Sequence, residues 1–293
     1  MKFLDLTLLF QQLWNGLING MVYVQFSLGL TLLFGVLRVV NISHGEFFMI
    51  GGMLVATLQE IYHLNFFVAL IPAVIAVGVI GFVCNRLAVR PLINSPETST
   101  LLSTMAISYI LLNGSRVLWP YPKSVNFPYP NILNFGGVSI TAASLISLAL
   151  GAVIVVLLYV FLTELRLGKE VWATAQNRTG ASLYGINVKR IYDVTFIIAA
   201  ALAAAGGILV APIWQTNTSI GISMIIKGFA IITVAGMGNV VGCMAVGLGA
   251  GILEAVLGNY VSTYYKEGLL YIVMIIVLLM KPGGLFGRSK EIN

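Results

Sequence analysis

The sequence predicts an all-α protein, built as a bundle of membrane-spanning helices. Of its 293 residues 59% are apolar and only 9% are charged, and the mean hydropathy is +0.97. A soluble domain carries about a quarter charged residues, because its surface must face water. The apolar residues also fall in blocks about as long as a helix needs to cross a hydrocarbon core of about 30 Å. Both observations argue against a large soluble protein with buried helices.

Eight or nine spans can be assigned, and together they make residues 1–293 a single transmembrane domain. The ambiguous stretch is Met224 to Gly258, which is either two spans broken near Gly236-Met237-Gly238-Asn239 or one helix and a re-entrant piece. The other spans run from Trp14 to Leu37, Glu46 to Tyr62, Phe66 to Ala88, Ser99 to Trp119, Ile140 to Leu162, Tyr192 to Pro212, and Gly268 to Met280.

The basic residues predict that the N-terminus lies outside and the C-terminus in the cytoplasm. Cytoplasmic loops of membrane proteins carry an excess of Lys and Arg. With nine spans, this orientation places eleven basic residues inside and five outside. The inner set is Arg38, Arg86, Arg90, Arg166, Lys169, Arg178, Lys189, Arg190, Lys281, Arg288 and Lys290, and the outer set is Lys2, Arg116, Lys123, Lys227 and Lys266.

Several other classes of site are disfavoured. The formal charge of +6 does not indicate nucleic-acid binding, because the basic residues are scattered over connecting segments rather than gathered on one face. Cys84 and Cys243 lie in separate apolar segments and are interpreted as buried thiols, so neither a disulfide nor a metal site is expected. His44 and His63, the two histidines, lack ligand spacing, which disfavours a membrane-embedded metalloenzyme.

Two connections are long enough to have a function. Pro120 to Gly137 contains four prolines, which predict an extended segment on the outer face, where a soluble partner or substrate would arrive. Thr163 to Arg190, on the inner face, is polar yet has helical periodicity, with Val171, Ala175, Gly180 or Ala181, Leu183 and Tyr184 near one face. Gly185 is placed to end that helix. The helix either lies flat on the bilayer or docks into a groove of a cytoplasmic partner.

Polar residues within the spans, together with Gly236 and Gly238 at the possible break, are candidates for a translocation path or an interface. At the first junction, Asn41, His44 and Glu46 either line the path at a broken helix or belong to a helix start, where Ser43 and Glu46 have the spacing of a capping box. Glu254 lies in mid-segment, with Gly247, Gly249 and Gly251 allowing another helix to approach closely. We favour an internal polar contact or an interface with a second membrane subunit for Glu254, while neutralisation of the ammonium group of a bound molecule stays open.

Several stretches of the chain carry a recognisable pattern. The run Ala175-Gln176-Asn177 through Ala181, Leu183, Tyr184, Gly185, Ile186 and Asn187 is similar to the signature AQNxxxAxLxGIN of the branched-chain amino acid permeases of ABC importers. Further similarity to the LivH-type subunit covers the chain in order: Gly16 to Gly20, Gly29 to Thr31, Phe34 to Asn41, His44 to Glu46, Arg90 to Leu92, Gly236 to Asn239, Glu254, and Lys281 to Gly287.

The resemblance implies one subunit of a larger machine. Such permeases lie in the bacterial inner membrane and pair with a second permease of the LivM type. They dock two cytoplasmic ATPase subunits of the LivG and LivF types and receive substrate from a periplasmic binding protein. It implies that residues 164–190 form the coupling-helix loop, with Ala175, Gln176, Asn177, Ala181, Leu183, Tyr184, Gly185 and Ile186 as coupling residues. ATP with Mg²⁺ would bind the partners, since this sequence contains no G-x-x-x-x-G-K-[ST] loop.

Two other functions stay open beside an importer of Leu, Ile and Val. Urea and short-amide importers use closely related permeases, and no residue here dictates the cargo. An ion-coupled secondary transporter is disfavoured by the amphipathic inner-face segment and by the shortage of intramembrane carboxylates.

Overall fold

The computed structural model describes residues 6–262 and 264–287. Lys2, Arg288 and Lys290, which entered the charge count above, lie outside these residues. The described chain forms eleven α-helices: α1 (Leu6–Leu37), α2 (His44–Tyr62), α3 (Phe66–Cys84), α4 (Glu97–Leu118), α5 (Ala142–Glu164), α6 (Arg166–Gln176), α7 (Arg178–Leu183), α8 (Val188–Val210), α9 (Ile220–Ala235), α10 (Val240–Tyr260) and α11 (Lys266–Met280).

The eight or nine predicted spans correspond to nine helices of the described chain, α1–α5 and α8–α11. Six helices of the described chain are long and apolar enough to cross a membrane: α1, α3 with its continuation to Leu92, α4, α5, α8 and α10. α3 continues through a π-helical turn, Asn85–Val89, and a 3-10 turn, Arg90–Leu92. The helical fold class is therefore confirmed.

α1 and α8 form the centre of the bundle. α1 packs along α10 and α8 and also touches α5 and α9, while α8 lies against α2 and α3. Buried aromatic residues such as Phe26, Phe48 and Phe196 fill the space between these helices. The outer helices expose apolar side chains, among them Val79 of α3 and Leu102 of α4, as expected for surfaces that face lipid.

Glycines allow α1 and α10 to lie in backbone contact. A Cβ atom added at Gly16 would lie 2.6 Å from the Ile252 Cα, and one at Gly20 would lie 2.9 Å from the Leu248 Cα. From the other side, Gly247 and Gly251 face the backbone of α1, whereas Gly249 faces open space. The predicted close approach is confirmed for Gly247 and Gly251 and is wrong for Gly249.

The Gly-rich stretch forms two helices. α9 ends at Ala235 and α10 begins at Val240, so the predicted break near Gly236-Met237-Gly238-Asn239 is confirmed. Gly236 and Gly238 have φ values of +92° and +88°, which residues with a Cβ rarely adopt. The Asn239 side chain accepts a hydrogen bond from the Gly242 N–H at 2.8 Å and thereby caps α10.

The Pro-rich connection is extended, as predicted, but it also contains a small hairpin. β1 (Ile132–Phe135) pairs with β2 (Val138–Thr141) in antiparallel register. Its two-residue turn uses Gly136 and Gly137, both with positive φ, which suits a tight hairpin. The purely α-helical prediction did not include this element. Upstream, Lys123 pairs with Thr216 through backbone hydrogen bonds of 2.9 and 3.1 Å, which fastens the connection to the α8–α9 loop.

Candidate functional site

Four charged or phenolic side chains from four helices meet inside the bundle. The Lys227 ammonium group donates hydrogen bonds to Glu254 Oε1 at 2.9 Å and to the Tyr23 hydroxyl at 3.1 Å, and its Nζ lies 2.8 Å from Glu267 Oε1. The Tyr23 hydroxyl donates to Glu254 Oε2 at 2.5 Å. We call Tyr23, Lys227, Glu254 and Glu267 the charge cluster.

The charge cluster is internally satisfied. The three N–H groups of the Lys227 ammonium face three acceptors, and each carboxylate oxygen of Glu254 receives one donor. The side chains of Lys227 and Glu254 are only 6% and 3% exposed. Charges buried to this degree are tolerated when paired and hydrogen-bonded. In this structure Glu254 makes an internal polar contact with Lys227 and Tyr23.

A polar cavity of about 450 Å³ opens beside the charge cluster. It lies between the middle of α1, the loop from α8 to α9, α9, the second half of α10 and the start of α11. Its lining residues are Asn19, Tyr23, Trp214, Asn217, Ser219, Ile220, Ser223, Met224, Lys227, Glu254, Lys266 and Glu267. A second cavity of about 260 Å³ shares Asn19, Glu254 and Lys266 with it. Glu267, with a side chain 47% exposed, is the more accessible carboxylate of the cluster.

Sequence reasoning missed most of this cluster. Lys227 is one of the five basic residues assigned to the outer side, but it lies within α9 and is 5% exposed. The available signal was its position inside an apolar stretch that also holds Glu254, because opposite charges within a membrane tend to pair. Tyr23 and Glu267 carried no comparable signal, since tyrosine is common in spans and Glu267 follows the end of α10.

The junction between α1 and α2 contains no capping box. The Ser43 hydroxyl donates to Asn41 Oδ1 at 2.7 Å, and its side chain makes no capping hydrogen bond to α2. Glu46 Oε1 instead accepts a hydrogen bond from the Ser108 hydroxyl of α4 at 3.0 Å. The capping-box hypothesis is therefore wrong, because the Glu46 side chain turns away from the helix start toward α4.

The same junction lies deep in the protein. Asn41, His44 and Glu46 are at most 2% exposed, and His44 Nε2 lies 3.1 Å from the Phe26 carbonyl oxygen. Within the described part of the chain, His44 Nδ1 and Glu46 Oε2 have no hydrogen-bond partner. These residues are not among those that line the polar cavity.

Gly236 and Gly238 belong to the turn between α9 and α10. A Cβ at Gly236 would lie 2.7 Å from the Gly287 N, and one at Gly238 would lie 3.7 Å from the Gly35 Cα. The Val234 and Ala235 carbonyl groups accept hydrogen bonds from the backbone N–H groups of Leu285 and Phe286 at 2.7 and 3.2 Å. This turn lies at the opposite end of α9 and α10 from the polar cavity, so the structure does not join these glycines to Glu254.

The segment from Thr163 to Arg190 contains two helices, not one. α6 ends at Gln176, and Asn177 adopts an extended conformation with φ of −151° and ψ of 104°. The Asn177 side chain accepts a hydrogen bond from the Gly180 N–H at 2.8 Å, so it caps the start of α7. The prediction of a single helix is wrong because this polar side chain competes with the helical hydrogen bonds at its own position.

The predicted apolar face is divided by this break. Val171 and Ala181 are buried, and Ala175 and Ile186 pack against the core. Leu183 and Tyr184, by contrast, are 82% and 91% exposed. Gln176 is exposed at the end of α6. The two helices therefore bury one side against the bundle and present a large apolar pair on the other.

The end of α7 is held in a fixed conformation. The Ile186 N–H donates to the Ala181 carbonyl at 3.1 Å and the Gly185 N–H to the Ser182 carbonyl at 3.1 Å, the pattern of a Schellman motif. Gly185 supplies the required positive φ of +79°, which confirms its predicted role as helix terminator. Leu183 and Tyr184 are consequently displayed by a rigid backbone.

Arg178 ties α7 to the end of α1. Its guanidinium donates to the Val36 carbonyl at 3.3 Å and makes a second, short hydrogen bond to the Leu37 carbonyl. The same group stacks 5.6 Å from the centre of the Tyr192 ring in α8. One side chain thus connects α7 with two central helices of the bundle.

Comparison with known proteins agrees with this architecture. Residues 12–278 match the family described as the branched-chain amino acid transport system, permease component. The chain is 32% identical to the high-affinity branched-chain amino acid transport system permease protein LivH of Salmonella typhimurium, and the alignment covers 96% of both chains. LivH of Escherichia coli gives the same values, and BraD of Pseudomonas aeruginosa is 30% identical over 96% of both chains. This chain therefore belongs to the permease-component family of the branched-chain amino acid transport system, and it is a transport subunit with several membrane spans.

Proposed function

We propose that this chain is the permease subunit of an ATP-driven, binding-protein-dependent importer of the branched-chain amino acids Leu, Ile and Val. The observation that carries the proposal is the identity of 30–32%, over 96% of both chains, to relatives named as high-affinity permeases for these amino acids. The match has no major unaligned part in either chain.

The proposed orientation in a bacterial inner membrane has the N-terminus outside and the C-terminus in the cytoplasm. Arg86, Arg90, Arg178 and Lys189 all lie at the end of the bundle that carries α6 and α7, which is the distribution expected of a cytoplasmic face. The polar cavity then opens on the outer side. A periplasmic binding protein would deliver its substrate there.

In this proposal α6 and α7, within residues 164–190, form the coupling segment that enters a groove of an ATPase subunit. Two observations support it: Leu183 and Tyr184 are largely exposed, and the Schellman motif fixes their backbone. A flat interfacial helix needs only a loose apolar stripe, whereas docking into a groove benefits from side chains presented by a rigid backbone. Arg178 would pass the motion of α7 on to α1 and α8.

The proposed partners are a second permease of the LivM type, two ATPase subunits of the LivG and LivF types, and the periplasmic binding protein. ATP and Mg²⁺ are assigned to the ATPase subunits, so ATP hydrolysis is assigned to them as well. The present chain would supply part of the path that the substrate takes across the membrane. Its polar cavity is suited to an amino acid, because Glu267 and the neighbouring amide and hydroxyl groups can meet the charged ends of a zwitterion.

Uptake of labelled leucine and labelled urea, in cells that lack the gene, tests the cargo. Restoring the intact chain should restore leucine uptake and leave urea uptake unchanged. A response of urea alone would show that the cargo is wrong, while the loss of both responses would leave the importer assignment without support. Tyr184→Asp should abolish the restored leucine uptake, and Tyr184→Phe should preserve it.

A further inference from the structure

The end of the bundle that carries α6 and α7 also holds a cavity of about 400 Å³, whose charged lining residues are all basic. Arg86 and Arg90 come from the turns that follow α3, and Lys189 comes from the first turn of α8. Pro91, Ile93 and Tyr192 supply apolar and aromatic parts of the lining. We call this the basic cavity. The fold thus gathers around it cations that are about a hundred positions apart in the sequence.

The basic cavity has an excess of positive charge. Within the described chain, Asp193 is the carboxylate paired with this group, at 3.0 Å from Arg90 and 3.7 Å from Arg86. Its other oxygen accepts a hydrogen bond from the Asn85 side chain at 2.8 Å. No carboxylate of the described residues lies within ion-pair distance of Lys189. One negative charge therefore stands against three positive charges.

A cavity beside α6 shows that not every cavity at this end of the bundle has such an excess of positive charge. That cavity, of about 410 Å³, is lined by two cations and two carboxylates, Arg166, Lys169, Glu164 and Glu170. Arg166 and Glu170 form an ion pair of 3.1 Å within α6. An orientation signal needs cations on one face, but it does not need them gathered around one cavity without balancing acids.

Exposed apolar side chains precede the basic cavity along the same helical segment. Val79, Val83 and Leu87, on α3 and its π-helical turn, follow one another at intervals of four residues and are 56%, 44% and 74% exposed, so they offer a surface on which an acyl chain can lie. Basic pockets between spans at the cytoplasmic side bind anionic lipid headgroups, and Arg is suited to bidentate contact with phosphate. Cations at the interface and an apolar strip beside them match the two parts of a phospholipid.

We propose that the basic cavity binds the phosphate headgroup of an anionic phospholipid. Arg86 and Lys189 contact the phosphate, Arg90 stays anchored to Asp193, and the acyl chains run along Val83 and Leu87. Tyr192 lines the cavity and its ring faces the Arg178 guanidinium. A bound lipid would therefore lie beside Tyr192, which contacts Arg178, the side chain that connects α7 to α1.

Native mass spectrometry of the purified full-length chain in detergent can test this site, with phosphatidylglycerol titrated against phosphatidylcholine. The intact chain should prefer phosphatidylglycerol. Removing two cations near a phosphate, in the double variant Arg86→Gln/Lys189→Gln, should weaken that preference on the order of 10- to 30-fold. The matched control is Arg166→Gln/Lys169→Gln, which removes the same charge from the balanced cavity and should leave the preference unchanged.

Two results would overturn the proposal. An equal loss in the test and control variants would mean that general surface charge attracts the lipid. Displacement of phosphatidylglycerol by millimolar inorganic phosphate, at constant ionic strength, would mean that the cavity binds a free anion rather than a lipid. Arg90 is left intact because it holds Asp193. If the double variant is no longer monodisperse in detergent, the single variant Lys189→Gln replaces it, because Lys189 is exposed. That variant should still weaken the preference for phosphatidylglycerol by about 5-fold.

Discussion

The ammonium nitrogen of Lys227 lies 2.9 Å from a carboxylate oxygen of Glu254, on neighbouring helices and almost fully shielded from solvent. This pair connects α9 to α10. The hydrogen bond from Tyr23 to Glu254 connects α1 to the pair, and the ion pair between Glu267 and Lys227 connects α11 to it. Four helices therefore depend on one group of charges that would be unfavourable in a membrane if separated.

Removing one member of the pair should destabilise the protein. Lys227→Met leaves the Glu254 carboxylate buried without its cation, and we expect a loss of about 3–5 kcal/mol in stability. Adding Glu254→Gln to that variant removes the uncompensated charge and should recover a large part of the loss. Thermal unfolding in detergent measures both effects. Additive losses in the double variant would contradict a coupled pair.

Close packing of α1 and α10 gives a second prediction, at Gly251. A methyl group there would meet the backbone of Gly20, so Gly251→Ala should cost about 1–3 kcal/mol. Gly249→Ala is the matched control on the same helix, because nothing lies within 4 Å of a Cβ at that position. Alanine is the better helix former, so the control should be neutral or up to about 1 kcal/mol more stable. The two unfolding temperatures should differ accordingly, and equal shifts would refute the contact.

The exposed pair on α7 should be required for transport but not for folding. Leu183→Asp and Tyr184→Asp should abolish leucine uptake while leaving the amount of chain in the membrane and its unfolding temperature unchanged. Ala181→Asp is a poor test of docking, because Ala181 is only 6% exposed and a carboxylate there would be buried. If the exposed variants transport normally, α7 is not the docking element.

Arg178 should affect coupling more than assembly. Arg178→Met removes the donors to the Val36 and Leu37 carbonyl groups, and we expect about 1–3 kcal/mol of lost stability. In the assembled transporter, ATP hydrolysis should continue while leucine uptake falls. Arg178→Lys, which keeps a single charged donor, should recover part of the uptake. Parallel loss of hydrolysis and uptake would instead indicate failed docking of the ATPase.

Local features of the fold were readable from the sequence. Gly185 and Gly236 occupy positions where positive φ is needed, and a helix-ending glycine is recognisable from its neighbours alone. Gly247 and Gly251 have the spacing of a close helix contact. The sequence could not separate them from Gly249, because which face of α10 meets α1 depends on the packing of the whole bundle.

The candidate site was less accessible from the sequence. Lys227 and Glu254 are 27 positions apart, and their contact depends on the turn that reverses the chain between α9 and α10. The segment after α5 shows the same limit. Its periodicity fits one helix up to Tyr184, but the Asn177 side chain starts a new helix and turns Leu183 and Tyr184 away from the buried face.

Contacts at one end of the bundle indicate whether the chain crosses the membrane an even or an odd number of times between two points. Arg178 touches the end of α1, so both lie at the same end and the chain between them crosses an even number of times. Because α3, α4 and α5 are long enough to span, α2 must cross as the fourth helix. Gly238 lies beside Gly35, so α9 must return the chain that α8 carries across. Leu285 binds the end of α9, so α11 must cross in the direction opposite to α10. We therefore expect the short helices α2, α9 and α11 to cross the membrane fully, which would place the start of α1 and residues 281–287 on opposite sides, as in the proposed orientation.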